Sequence, residues 1–122
     1  IREQKRIILF NDVFFTPINA EKLILIAYKI LMSGDRGVFN ISSNEIISKY
    51  KFGKLLAKEF SLNGNKIIEG SIKQRKDLVI RPLDMPLSNK KINELHNIDC
   101  GSIIESIALL KKQEKKMRAL YI

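Results

Sequence analysis

The chain has 122 residues, of which 45% are apolar and 29% are charged, so its length allows about one domain with a modest core. Its longest strongly apolar run, Leu23–Met32, contains Lys29 and is about half as long as a bilayer-spanning helix, so we expect no membrane partner. The single cysteine, Cys100, excludes an intramolecular disulfide and fits a reducing compartment, which predicts a cytoplasmic location.

A formal net charge of +9 makes nucleic acid a partner to consider. The cations are dispersed, however. One group of lysines has helical spacing and lies opposite the apolar face of a predicted helix. A second group of cations lies at the end of the last predicted helix, where positive charge interacts favourably with the helix dipole. These groups are Lys51, Lys54 and Lys58, then Lys111, Lys112, Lys115, Lys116 and Arg118. No recognition-helix pattern, zinc-finger spacing or aromatic-basic interleaving accompanies them, so we expect no nucleic-acid partner.

The first part of the chain predicts a strand, an extended segment and a helix. Ile7–Phe10 is a short apolar run ended by a polar pair, which indicates a buried strand, and Phe14–Pro17 is extended and ends in a turn. Asn19 can cap a helix over about Ala20–Ser33. This helix is apolar on nearly every face, so we expect it to be buried between other elements.

The middle of the chain predicts two further strands around a second helix. Val38–Ile41 has the composition of a strand, and Ser48 can cap a helix over about Lys49–Phe60 whose apolar and basic faces separate. Ile67-Ile68 is a brief strand, and a charged loop follows over Lys73–Asp77.

A connector rich in proline runs from Arg81 to Ile92, directly after the extended piece Leu78–Ile80. Pro82 and Pro86 exclude a helix or a central strand, and Pro82 holds Arg81 in extended geometry. Such a rigid connector is suited to holding Arg81 over a groove. A tight surface loop whose arginine hydrogen-bonds carbonyl groups is the alternative on pattern alone.

The end of the chain predicts two helices. Ser88 can cap a short helix over about Asn89–Leu95, and the spacing of Ser102 and Glu105 is that of a capping box opening the C-terminal helix. The order of all the elements predicts an α/β fold with a few short parallel strands and three main helices.

The predicted strands need more cover than the chain supplies. Strands in which apolar residues do not alternate with polar ones are normally covered on both faces by other elements. The chain also begins at Ile1 rather than Met, directly before a strand-like segment. We therefore expect residues 1–122 to be a portion of a longer protein, with the missing cover in sequence before Ile1.

Three ordered stretches resemble the C-terminal part of extended short-chain dehydrogenases/reductases of the dTDP-4-dehydrorhamnose reductase type. They are Asn11-Asp12 with Phe15-Thr16-Pro17-Ile18 and its helix, Gly37–Ser42 with Ser48–Phe52, and Arg81-Pro82 with Leu87–Lys91. The match covers nearly the whole chain in the right order. Ser88 and Asn89 depart from the aspartate and the serine that are common in this family.

The resemblance implies a Rossmann-like fold in which this chain is the substrate-binding C-terminal portion. The parent would reduce a 4-keto nucleotide sugar with NADPH or NADH, as in polysaccharide biosynthesis, and its N-terminal cofactor domain would be a partner of this portion. A homodimer is compatible with it. The sequence has no G-x-x-G-x-x-G turn, so we expect this chain alone to bind no cofactor and to be inactive. The alternative is a non-catalytic regulatory or interaction subunit of the same fold.

With the resemblance, Arg81 becomes a candidate ligand for the nucleotide diphosphate, because a guanidinium can bind two phosphate oxygens at once. The lysines and arginine of the preceding loop could add positive potential to the same groove, or be a solvated loop. Polar residues at strand ends could line the pocket, although turn-forming roles explain them nearly as well. The candidate substrate-binding residues are Arg81, Thr16, Asn11, Lys73 and Arg75, with Lys76 beside them.

Two other pairs of residues have the types found in catalytic or metal sites, but simpler structural roles explain them. Tyr50 and Lys54 have the Y-x-x-x-K spacing of the family's catalytic pair, but this helix resembles a later, non-catalytic one, so we expect packing and solvation instead. His96 and Cys100 lie four residues apart without the further ligands or orienting group that a zinc site or a nucleophile needs. We assign no catalytic or metal-binding residue in this chain.

Overall fold

The computed structural model describes residues 5–120, in which short strands and helices are interspersed along the chain. The strands are β1 (Ile7–Phe10), β2 (Phe14–Phe15), β3 (Ile47–Ser48) and β4 (Ile67–Gly70), and the helices are α1 (Ala20–Ser33), α2 (Lys49–Glu59), α3 (Lys90–His96) and α4 (Ile103–Leu120). The α/β class predicted from the order of elements is confirmed. The chain divides into a first unit, residues up to Phe15 with Ile46–Pro86, and a second unit, Thr16–Glu45 with Leu87 onward.

The first unit contains two pairs of strands and α2. β1 and β4 pair in parallel, with Ile7 opposite Ile67, and β2 and β3 pair antiparallel. Helix α2 lies directly on β1, since a Cβ atom at Gly53 would come within 2.2 Å of Leu9 Cδ1. The glycine therefore permits a close approach of helix and strand. The parallel partner of β1 is thus a strand late in the unit, and α2 precedes that strand in the chain.

Helix α2 begins where the sequence predicts. The Ser48 hydroxyl accepts from the Lys51 backbone N–H at 3.2 Å, which satisfies one of the free donors of the first turn. On its inner side, the Phe52 ring packs edge-on against Phe15 with the ring centroids 5.3 Å apart. The predicted basic face is confirmed, because its lysines are all exposed.

The second unit is built around a small apolar core. Ile26 and Ile30 of α1 pack with Ile92 of α3 and with Cys100, and all four are buried. The cap of α1 is confirmed, because the Asn19 carboxamide oxygen accepts from the first backbone N–H groups of that helix at 3.0 and 3.3 Å.

Within the described residues, α1 is covered on one face only. Ile30 is 7% exposed, whereas its neighbour Leu31 is 75% exposed. The large hydrophobic residues of α1 that are more than half exposed are Ile24, Leu25, Tyr28, Leu31 and Met32. The expected burial on nearly every face is therefore not supplied by residues 5–120. No helix in this part of the chain has the length and apolar character needed to cross a bilayer.

The strand predicted over Val38–Ile41 is wrong, because this segment is irregular in the structure. Its backbone and side chains find partners other than a neighbouring strand. The Lys91 ammonium donates to the Val38 carbonyl at 3.0 Å and lies 4.1 Å from the centre of the Phe39 ring. Phe39 and Ile41, two residues apart as on one face of a strand, both pack against the core of the second unit, but no strand pairs with this segment in the part of the chain that the structure describes.

The last two helices begin in different ways. The capping box of α4 is confirmed, with Glu105 N donating to Ser102 Oγ at 3.1 Å and Ser102 N donating to the Glu105 carboxylate at 3.0 Å. Glu45 adds an unpredicted acceptor for Ile103 N at 2.9 Å. Helix α3 begins one residue later than predicted, and Ser88 Oγ accepts from its first turn at only 3.4 Å.

Candidate functional site

The carboxyl ends of the parallel strands β1 and β4 lie side by side in the first unit, as parallel pairing requires. Asn11 follows β1, and its backbone N–H continues the ladder by donating to the Gly70 carbonyl at 2.9 Å. Its side-chain amide donates to Glu69 Oε1 at 2.8 Å. Asn11 therefore extends the strand pair and has a structural partner within it.

Asp12 connects this strand edge to the loop after β4. Its carboxylate accepts from Ser71 Oγ at 2.5 Å and from the Ile72 backbone N–H at 2.9 Å. The hydrogen bond from Ser71, with help from that of Ile72, holds the pKa of Asp12 below its ordinary value despite partial burial. Asp12 thus anchors the point at which the basic loop begins.

A groove of about 450 Å³ lies in the first unit, and the residues that line it belong to the segment from Ile72, which Asp12 holds, to Leu83. Its lining consists of Ile72, Lys73, Arg75, Lys76, Leu78, Val79, Ile80, Arg81 and Leu83. The predicted residues Lys73, Arg75 and Arg81 therefore share one groove. The apolar side chains Val79 and Ile80, at 79% and 99% exposure, stand between the cations in the sequence. The groove combines positive charge with an apolar surface.

One cation of this basic groove is already paired. Arg75 Nε donates to Asp77 Oδ1 at 2.7 Å, and Arg75 Nη2 donates to Asp77 Oδ2 at 2.6 Å. This two-pronged hydrogen bond from Arg75 lowers the pKa of Asp77 to about 2. The pair is charged at any ordinary pH.

The basic groove does not include every predicted residue. Thr16 belongs to the second unit, where its hydroxyl accepts from the Leu87 backbone N–H at 3.1 Å and so holds the backbone directly after Pro86. Asn11 belongs to the first unit but is absent from the groove lining. Both side chains have structural partners, although only turn-forming roles were weighed against binding in the sequence, and Asn11 instead extends the strand pair.

The Y-x-x-x-K pair occupies the helix α2 as its spacing requires. Lys54 donates to the Gly64 carbonyl at 3.1 Å, and Tyr50 is half-buried. The lysine thus closes the turn that follows its helix, a structural role that explains its position.

His96 and Cys100 are parts of the second unit's interior. Cys100 is buried in the core, and His96 Nε2 lies 3.0 Å from Asp35 Oδ2 with 13% of its side chain exposed. Among residues 5–120, no group of three or more histidine, cysteine, aspartate or glutamate side chains is placed to hold a metal ion.

Asp12 and Asp77 are the site residues that sequence reasoning missed. Asp77 had a local signal, because an Arg-x-Asp spacing in a loop lets a guanidinium reach a carboxylate. Asp12 had only the weaker signal of an acidic residue directly after a strand. Its partner Ser71 lies 59 positions away and becomes a neighbour only through the pairing of β1 with β4.

The described chain has an α/β fold that matches part of a larger reductase fold. Three solved structures that are similar to it are dTDP-4-dehydrorhamnose reductases. That of Bacillus anthracis str. Ames, in complex with NADP, has a TM-score of 0.82 at 15% identity, over 92% of this chain and 40% of that one. That of Clostridium acetobutylicum has a TM-score of 0.74 at 20% identity, over 90% and 40%. That of Yersinia enterocolitica has a TM-score of 0.71 at 12% identity, over 88% and 39%.

The resemblance read from the sequence motifs is therefore confirmed at the level of the fold. This chain spans about 40% of the length of the solved reductases. No protein-family model matches the sequence, and no curated protein matches it.

Proposed function

We propose that this chain is the substrate-binding portion of a nucleotide-sugar reductase, and that the complete protein reduces a 4-keto sugar with NADPH or NADH. The observation that carries this proposal is the fold match to dTDP-4-dehydrorhamnose reductase, with a TM-score of 0.82 over 92% of the chain. The likeness extends over nearly the whole chain, as does the ordered set of sequence motifs. Residues 1–122 would then be the C-terminal portion of the parent.

The basic groove supports the substrate class. A nucleotide sugar carries two adjacent phosphates between two rings, so its site needs fixed positive charge beside less polar surface. Arg81, Lys73 and Lys76 supply the charge, and a guanidinium suits phosphate because it presents a rigid fork of donors that does not titrate. Leu78 and Val79 supply apolar surface in the same groove. Arg81 is the residue to which we assign the diphosphate.

Hydride transfer belongs to residues outside this chain in this proposal. The sequence has no G-x-x-G-x-x-G turn, so it lacks the backbone cradle that holds a dinucleotide pyrophosphate. The Bacillus anthracis structure contains NADP, which makes NADP(H) our choice of cofactor for the parent. A reducing, cytoplasmic compartment would keep Cys100 as a free thiol.

Replacement of Arg81 in the complete protein tests the role of the groove. We expect Arg81→Ala to raise the KM for the nucleotide sugar, since loss of a charge-assisted contact costs about 1.5–3 kcal/mol, roughly a ten- to hundredfold effect. Arg81→Lys should recover only part of the loss, because an ammonium cannot make the two-pronged contact. Steady-state kinetics with the nucleotide sugar as the varied substrate measures both.

Lys58→Ala is the matched control, because Lys58 is an exposed cation on α2 that does not line the groove. It removes the same charge and should leave KM unchanged. An unchanged KM in folded Arg81→Ala would assign Arg81 to loop structure and contradict its role as a phosphate ligand.

A non-catalytic regulatory or interaction subunit of the same fold is the second candidate. It is favoured by Asn89, which departs from the serine of the family and whose amide donates to the Ser42 carbonyl at 3.0 Å and to Asn44 Oδ1 at 2.7 Å. The parent sequence decides between the two. A reductase has both a glycine-rich dinucleotide turn and its own Y-x-x-x-K pair before Ile1, whereas a regulatory relative can lack either.

A further inference from the structure

The pairing of Arg75 with Asp77 affects how the basic groove can bind an anion. The carboxylate occupies Nε and Nη2, which together form one of the edges through which a guanidinium binds two oxygens at once. Arg75 lines the groove, whereas Asp77 does not. The arginine is therefore placed to meet a ligand while this pair of donors is held by a neighbour two residues along the chain.

A phosphate group would compete for this same edge of Arg75. Phosphate and carboxylate oxygens both accept from paired guanidinium donors with similar geometry. The pair is also open to exchange, because the side chains of Arg75 and Asp77 are 40% and 62% exposed. Exposed ion pairs are weak, so a multiply charged ligand held by the other groove cations can displace the carboxylate.

We propose that Asp77 is an internal competitor for Arg75 and sets the affinity of the groove for diphosphates. The free protein keeps Arg75 on Asp77, and a bound diphosphate takes the carboxylate's place on Nε and Nη2. No covalent bond changes in this exchange. The inference rests on the proposed function, because the ligand that it names is the diphosphate of a nucleotide sugar.

The test measures pyrophosphate binding to the protein by isothermal titration calorimetry at pH 7 and low ionic strength. We expect Asp77→Asn to tighten binding about three- to fivefold, the factor that corresponds to one exposed ion pair. Asp77→Glu keeps a competing carboxylate and should stay within about twofold of wild type.

Two control variants separate competition from a general change of charge. Asp84→Asn makes the same chemical change at an exposed carboxylate close in sequence to Arg81, and it should change the affinity by less than about twofold. Asp77→Asn/Arg75→Lys has the same net charge as Asp77→Asn but has no guanidinium edge to release. Its affinity should return to near that of wild type.

The possible results separate this inference from the proposed function. Unchanged or weaker binding in Asp77→Asn, together with weaker binding in Arg81→Ala, would overturn the competition and leave the groove's function standing. An equal gain in Asp77→Asn and Asp84→Asn would also overturn it, because net charge would then explain both. Tighter binding in Asp77→Asn with no effect of Arg81→Ala would support the competition at Arg75 and contradict our assignment of Arg81. Absence of pyrophosphate binding in every variant would contradict both.

Discussion

Asp12 and Asp77 bond to residues that line the basic groove without lining it themselves, and they show why single residues differ in how well the sequence predicts them. From the sequence, Lys73 and Arg75 were candidates to join Arg81 in one groove, with a solvated loop as the alternative, because they lie close together in one loop and its connector. The structure places all three along one groove. Neither carboxylate was predicted. Asp77 bonds to Arg75, two residues away in the chain. Asp12 bonds to residues after β4, and the paired residues of β1 and β4 lie 60 positions apart. Contacts of this second kind depend on strand pairing, which no local pattern specifies.

At this scale we predict that Asp12→Asn destabilises the protein near neutral pH. The variant loses a charged acceptor for Ser71 Oγ and Ile72 N, and solvent screening of the partly exposed carboxylate limits the cost to about 0.5–1 kcal/mol. Denaturant unfolding at pH 7 measures the difference in free energy.

The pH dependence gives the same prediction an independent check. The pKa of Asp12 is lower in the folded protein than its ordinary value of 3.8, so its stabilisation is present above that value and is lost as the pH falls through the folded pKa. The gap between wild type and Asp12→Asn should therefore shrink below about pH 4. Asp84→Asn is the control, and its gap should be small at every pH. A gap for Asp12→Asn that persists at pH 2 would show that the carboxylate's charge is not the cause.

At the scale of elements, helices and strands also differ in how well the sequence predicts them. Asn19 caps α1, Ser48 caps α2, and the Ser102–Glu105 box opens α4, all as predicted, because a cap is decided within four residues. The strand predicted over Val38–Ile41 is wrong, because a strand requires a hydrogen-bonded neighbouring strand and this segment has none within residues 5–120. Local signals thus predicted the caps of three of the four helices in the described part of the chain, α3 being the exception, whereas a strand also depends on a partner strand from elsewhere in the chain.

Adjacent residues of α1 allow a matched test of which face is structural. We expect Ile30→Ala to cost about 2–4 kcal/mol, since it removes buried methyl groups from the core that Ile26 and Cys100 share. Leu31→Ala removes a side chain of similar size from a position that is 75% exposed, and it should change stability by about 0.5 kcal/mol or less. Thermal and denaturant unfolding of the two variants measure the difference. Equal costs for the two positions would show that the exposed face of α1 is covered in solution.

At the scale of the whole molecule, the order of the sequence motifs predicted the fold better than any single predicted element did. Each of the three motif stretches is short, and one of them, Gly37–Ser42, contains the strand that failed. Their order along the chain nevertheless identified the fold that the solved reductases share, at identities of only 12–20%. A fold is specified by the sequence of turns, caps and apolar segments, so it can be recognised when individual secondary-structure predictions are wrong.

The absence of a dinucleotide turn from the sequence leads to a prediction for the molecule as a whole. We expect this chain alone to show no micromolar binding of NADPH and to oxidise none of it in the presence of a keto sugar. Tight binding of a dinucleotide requires several backbone N–H groups converging on its pyrophosphate at the start of a helix, and no G-x-x-G-x-x-G segment supplies them here. The exposed cations of the basic groove can attract the pyrophosphate of NADPH, but screened surface charges hold it only weakly. Fluorescence titration of NADPH measures the affinity, with Arg81→Ala as the control for attraction to the groove. Micromolar binding that persists in Arg81→Ala would place a cofactor site within this chain and would contradict our proposal that the cofactor is bound outside it.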